Sequence, residues 1–154
     1  MTKIYISSTY ARKHEAEDLA ARIHALGQNI YEVVSTWHTS PPTGDDGISD
    51  GLSFDDQKKF AKVDLEEVES CDLLIALTEG KASPYSGGGR HVEFGYALAL
   101  GKDTWVIGPT ENIFHTLSDC RLPANGMDPV QGTDECLADL WDRHVESCMD
   151  GDGL

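Results

Sequence analysis

Short apolar runs alternate with longer stretches of helical period along this chain. "KIYIS" at 3–7 is β-branched and aromatic and predicts a strand. In "TYARKHEAEDLAARIHALG", Ala16, Leu19, Ala20, Ile23 and Leu26 recur at helical spacing, and Gly27 supplies a stop. "NIYEVVSTW" reads as a second strand, followed by "HTSPPTGDDGISDGLS", whose Pro, Gly, Asp and Ser content predicts a long loop. A polar helix from about Phe54 to Ser70 leads into "CDLLIALT", a continuous apolar run of the kind found in strands covered on both faces. "SPYSGGGRHVEFGYALALGK" at 83–102 gives a glycine-rich loop and a helix that is apolar almost throughout. "DTWVIGP" is the next strand, and "DECLADLWDRHVESC" from 134 has a helical period, with a last short strand expected somewhere in 120–131. The order β-α-β-α-β-α-β-(β)-α predicts an α/β fold: an open parallel sheet of about five strands with helices on both faces.

Size and charge narrow the possibilities. At 154 residues the chain fits one domain, expected over 1–148, with 149–154 as a frayed tail. There is no internal repeat. A net charge of −15 sets the surface against nucleic-acid polymers and anionic membranes. The cysteines Cys71, Cys120, Cys136 and Cys148 lack CxxC pairing, and neither a leader nor a membrane-length apolar run is visible. A cytoplasmic protein with reduced thiols is expected.

In sheets of this kind ligands sit beyond the carboxyl ends of the strands, where strand order reverses. Four segments should meet there: Ser7 to Tyr10, Trp37 with His38, Thr78 to Arg90, and Gly108 to His115. The glycines of "SGGGR", entering a helix, can wrap an anion with main-chain donors or serve only as a flexible turn. The spacing matches neither the P-loop nor the GxGxxG fingerprint. Glu93 is the only charged side chain between Val92 and Leu100, on a helix expected to be buried on most sides. A carboxylate there must be paired, hydrogen-bonded or used in chemistry, unless it is merely a first-turn dipole partner. The histidines show no metal-ligand spacing, so neither a metal nor a cofactor is called for.

Taken in order, Tyr5, Asp64, "DLEEVESCD", "CDLLIAL", "EFGYALALGK" and "WVIGP" resemble the nucleoside 2-deoxyribosyltransferase family and its relatives, the 2'-deoxynucleoside 5'-phosphate N-hydrolases. The similarity covers most of 3–117. It implies a flavodoxin-like (Rossmann-like) sheet, cleavage of an N-glycosidic bond, and a homodimer or higher homo-oligomer in which a neighbour closes the pocket. By this resemblance Glu93 is the nucleophile that attacks C1', Asp64 positions the sugar or protonates the departing base, and Tyr5 orients the glutamate. Six residues before that glutamate the family commonly carries an acidic residue or a serine, the serine going with a 5'-phosphate. Here Gly87 stands at that position, with Ser86 one step earlier.

The expected substrate is therefore a small nucleotide or nucleoside, with the 5'-monophosphate preferred because Ser86, Gly87, Gly88, Gly89 and Arg90 suit phosphate. Ser7 and Ser8 are candidates for sugar or phosphate contacts, Trp37 for stacking on the base, and Asn112 and His115 for a contribution across a subunit boundary. Three readings follow: hydrolysis of a nucleoside monophosphate, transfer of deoxyribose between bases, or a nucleotide-binding module without turnover. The identity of the base, the sugar and the role of the 38–53 loop are left open.

Overall fold

A computed structural model describes residues 1–27, 29–39, 52–79, 88–118, 120–122 and 129–151. Five strands, β1 (Thr2–Ser7), β2 (Tyr31–Val33), β3 (Leu73–Leu77), β4 (Asp103–Ile107) and β5 (Cys120–Leu122), form one sheet in the order β2-β1-β3-β4-β5. Every neighbouring pair is parallel. This is the flavodoxin-like order, as expected. Four helices connect and flank them: α1 (Lys13–Leu26), α2 (Phe54–Ser70), α3 (Gly89–Ala99) and α4 (Pro129–Gly151). Strand β2 is shorter than its apolar run, because Ser35 and Trp37 leave the ladder and bond the Ile6 backbone of β1 through their side chains. Helix α4 starts before 134 and continues through Met149 to Gly151, past the boundary expected at 148.

The alternation of side chains along each strand divides the core in two. Ile4, Ile6, Leu73, Ile75, Leu77, Trp105 and Ile107 face one side, where Leu19 and Ile23 of α1 and Cys136 and Leu140 of α4 cover them. Tyr5, Leu74, Ala76 and Val106 face the other, against Val68 of α2 and Phe94 and Ala97 of α3. The chain moves outward from β1 to β2 and then back across to β3, so right-handed crossovers put α1 and α2 on opposite faces. The reversal opens a crevice between the carboxyl ends of β1 and β3, where Ser7 is in register with Ala76.

The ends of the helices follow local chemistry. Ser53 caps α2 by accepting a hydrogen bond from the Asp56 amide at 3.1 Å. Gly88 precedes α3 with φ 79°, a left-handed conformation that a side chain would resist. Helix α3 departs from expectation: only a stripe of Arg90, Phe94 and Ala97 is buried, while Val92 and Leu100 are 62% and 41% exposed. Its apolar composition therefore exceeds what packing within one chain consumes.

At the rim of the crevice, β3 and β4 are joined beyond their ends. The Thr78 amide donates to the Ile107 carbonyl at 3.0 Å, and Gly108 follows with φ 117°. A Cβ at 108 would lie 2.6 Å from Thr78 Oγ1. Gly108→Ala should therefore destabilise the fold by about 1–3 kcal/mol, read as a lower urea midpoint with an unchanged slope.

Candidate active site

Strand β1 ends in the crevice with Tyr5 and Ser7 on the α2/α3 side of the sheet, because residues two apart share a face. Ser7 is buried, and its hydroxyl donates to Glu93 Oε2 at 2.6 Å. Helix α3 brings Glu93 there from its first turns. Protein atoms surround the carboxylate on nearly every side, while a part of its surface still faces the crevice. Burial raises its pKa to about 7, the Ser7 hydrogen bond opposes this, and the charge of Asp64 adds to it.

The Tyr5 hydroxyl is fully buried and has no close hydrogen-bond partner. Its contact with Glu93 is loose, enough to ease the carboxylate but short of a well-formed bond. Burial, followed by the charges of Glu93 and Asp64, pushes the phenol far above its ordinary pKa, so it stays a neutral donor. Asp64, on α2, is partly buried, and burial followed by the charge of Glu67 raises it to about 6. Tyr5, Asp64 and Glu93 are thus brought together as one electrostatically coupled group drawn from β1, α2 and α3.

The other expected residues fall into distinct places. Among the described residues, Ser8 Oγ is buried without a partner, as is the Tyr10 hydroxyl. Trp37 stands partly buried beside Tyr10, with ring centroids 6.4 Å apart, and its indole N–H donates to the Ile6 carbonyl at 2.7 Å. Gly88 and Gly89 have open space where side chains would stand. Ser86 and Gly87 lie outside the described residues, as does most of the 38–53 loop.

Arg90 does not stand as a free cation. It forms a bidentate pair with Glu111 at 2.6 and 2.8 Å, with side chains 7% and 8% exposed. This pair ties the start of α3 to the segment after β4. Asn112 caps the following short helix (Ile113–Leu117) by accepting from the Phe114 amide at 3.0 Å, and its side-chain nitrogen lies 3.3 Å from His91 Nδ1. His115 is buried against Phe94 and accepts from the Glu111 amide through Nδ1 at 3.1 Å. Within the chain, Asn112 and His115 therefore support the base of α3.

His91, Glu111 and His115 bring ligand atoms within 4.8 Å of one another, a grouping hidden by their separation in sequence. It fits a metal poorly. Arg90 already supplies the cation, contacting Glu111 and also His91 Nε2 at 2.9 Å. With Nδ1 of His115 accepting a backbone hydrogen bond, its neutral ring carries the proton on Nε2, the nitrogen a metal would need.

Sequence reasoning missed four participants. Glu67 is one helical turn beyond Asp64, a signal present in "DLEEVE". Glu111 carried no signal short of the fold. Arg12 donates to the Thr78 carbonyl at 2.8 Å, and Thr9 donates to Glu79 at 2.7 Å, so both close the crevice between β1 and β3.

Two outcomes follow from the buried charges. Glu93 binds its proton more tightly folded than unfolded, so its contribution to stability is full below about pH 4 and declines as pH rises through about 7. Glu93→Gln should accordingly raise unfolding free energy at pH 8 by up to about 3 kcal/mol and leave it unchanged at pH 4, measured by denaturant titration at both. Glu111→Ala leaves the Arg90 guanidinium buried without its partner and should cost about 3–5 kcal/mol, whereas the paired replacement Arg90→Met with Glu111→Leu should recover much of that loss.

The family model described as nucleoside 2-deoxyribosyltransferase matches residues 4–127. None of the curated proteins matches the chain in sequence. Among solved structures, the CMP N-glycosidase BcmB of Clostridium botulinum is similar at 22% identity, covering 90% of this chain and 98% of that one with a TM-score of 0.53. A 3-dehydroquinate dehydratase-like protein from Bifidobacterium longum aligns at 10% identity over 92% and 97% of the two chains, TM-score 0.48. The 2-desoxiribosyltransferase from Leishmania mexicana aligns at 22% identity over 70% and 65%, TM-score 0.40. Among the described residues no helix is long and apolar enough to cross a membrane. With the match spanning most of its length and including Tyr5, Asp64 and Glu93, the chain belongs to the nucleoside 2-deoxyribosyltransferase family, enzymes of N-glycosidic bond transfer and cleavage.

Proposed function

We propose that the protein hydrolyses the N-glycosidic bond of a nucleoside or deoxynucleoside 5'-monophosphate, releasing the free base and the sugar 5-phosphate. The observation that carries this reading is the Glu93 carboxylate, sequestered at the bottom of the crevice, hydrogen-bonded by Ser7 and accompanied by Asp64 and Tyr5. A Glu93 oxygen attacks C1' as the bond from C1' to the base nitrogen breaks. The electron pair leaves with the base, which takes the Asp64 proton. Water then attacks C1' of the glycosyl ester, the bond to Glu93 breaks, and the water's proton passes to Asp64.

The surrounding carboxylates favour the positive charge that builds on the sugar in both steps. Within the protein alone, Glu93 holds its proton at least as tightly as Asp64. The mechanism needs the reverse order. Sugar hydroxyls donating to Glu93, with the neutral Tyr5 phenol behind it, favour its anion and move the balance in that direction. The buried hydroxyls of Ser8 and Tyr10, which find no partner among the described residues, are suited to a polar ligand.

The 5'-phosphate is assigned to the start of α3, where the left-handed Gly88 and the open space around Gly89 let an anion approach the positive end of the helix. The fold similarity to a CMP N-glycosidase accords with a nucleotide of this size. Arg90, committed to Glu111, supports this helix end and is not the primary phosphate partner. Trp37 stacks on the base from the rim. Self-association would cover the exposed Val92 and Leu100 of α3.

Base transfer is the second reading, favoured by the family description itself. Incubating the protein with a panel of nucleotides and nucleosides, with and without an added free base, separates the two. The expected result is free base and sugar phosphate from a 5'-monophosphate, at a rate that added base does not divert. Formation of a new nucleoside would establish transfer, and faster cleavage of unphosphorylated nucleosides would remove the phosphate assignment. Glu93→Ala and Glu93→Gln should each lower kcat by at least about a thousandfold with substrate affinity little changed, measured by base release and equilibrium binding.

A further inference from the structure

Helix α2 carries a third carboxylate one turn beyond Asp64. Glu67 is partly buried, and both of its oxygens accept hydrogen bonds from Thr36, at the exit of β2. The Thr36 amide donates to Oε2 at 3.0 Å and its hydroxyl to Oε1. Two donors on opposite oxygens suit a carboxylate anion and fix its direction. The residue next to Thr36 is Trp37, itself fixed to the end of β1 through Ile6. Glu67 therefore links the rim of the crevice to the face of α2 that presents Asp64.

The placement is asymmetric. Asp64 and Glu67 lie three residues apart on one helix, close enough for like charges to interact, whereas Glu93 approaches from α3. Titratable groups facing Asp64 are Glu67 on its own helix, Tyr5 from β1 and Glu93 from α3. The charge of Glu67 is the foremost electrostatic influence on Asp64 and the least on Glu93.

Building on the N-glycosidic reading above, we propose that Glu67, held by Thr36, is a positioning residue that biases the proton of the Asp64–Glu93 pair towards Asp64. Added to the sugar hydroxyls that donate to Glu93, this bias frees Glu93 to attack while Asp64 retains a proton for the departing base. Glu67 touches neither substrate nor the reacting atoms. Its contribution is a fixed negative charge beside one member of the pair, set by the hydrogen bonds that Thr36 donates to it.

Glu67→Gln preserves shape and hydrogen-bonding capacity while removing the charge. Thr36→Val removes one hydrogen bond and keeps the charge. In full-length, ligand-free protein, ¹³C carboxyl NMR titration, with the Asp64 signal assigned through Asp64→Asn, should show Asp64 titrating roughly one pH unit lower in Glu67→Gln and close to its original value in Thr36→Val. In turnover with a substrate nucleotide, the alkaline limb of kcat should move down by the same amount in Glu67→Gln, with KM unchanged and activity near the acid optimum retained.

An unmoved Asp64 titration in Glu67→Gln overturns the proposal, as does an equal shift in Thr36→Val, which would trace the effect to packing. A uniform loss of kcat at all pH values also overturns it. Should Glu67→Gln not fold, Glu67→Asp, which withdraws the charge by one methylene, gives the same test with a smaller downward shift, and no shift counts against the proposal. Absence of base release from every nucleotide refutes the N-glycosidic reading, while the NMR titration still decides whether Glu67 governs Asp64.

Discussion

The organisation of this crevice depends on confining one carboxylate. Glu93 is kept from water at the start of a helix, and Ser7 supplies its one short hydrogen bond. Such confinement is unfavourable to the ionised form, and no side-chain cation is paired with Glu93 among the described residues. The surrounding structure must therefore hold α3 in place against that cost. It does so through Phe94 and Ala97 on the sheet and through the buried Arg90–Glu111 pair at the helix start. The same pair explains why an arginine three residues from the carboxylate does not neutralise it: Glu111 claims the guanidinium from the opposite side.

The resulting concentration of negative charge has chemical sense for a sugar that becomes positive as its bond to the base breaks. Carboxylates already oriented in a partly dry site need little rearrangement when that charge appears. Stability and chemistry pull in opposite directions here, since the groups most strained by burial are the ones the reaction would use. Fold alone would not have led to this conclusion. One fold hosts many chemistries, and it is the family match that narrows them here.

Much of the architecture was legible because its signals are local. The apolar run "LLIAL" announces a strand covered on both faces, and Leu73–Leu77 is buried throughout. The polar helix expected from about Phe54 to Ser70 has those bounds in α2. The apolar character of α3 misled, because composition does not show which side of a helix meets its own sheet. Val92 and Leu100 face outward although they are as apolar as Phe94 and Ala97.

From its sequence, the chain determined the order of strands and helices, the periodicity that splits the core, and the three residues, Tyr5, Asp64 and Glu93, to which the family resemblance points. Side-chain period and backbone propensity act over a few residues, so they can be read without coordinates. Only the tertiary structure decided the partners: Ser7 with Glu93, Thr36 with Glu67, and Arg90 with Glu111 rather than with the open crevice. Those partnerships join residues 86, 31 and 21 positions apart. They depend on which strand lies beside which and on how each helix is rotated against the sheet, quantities that no local pattern encodes.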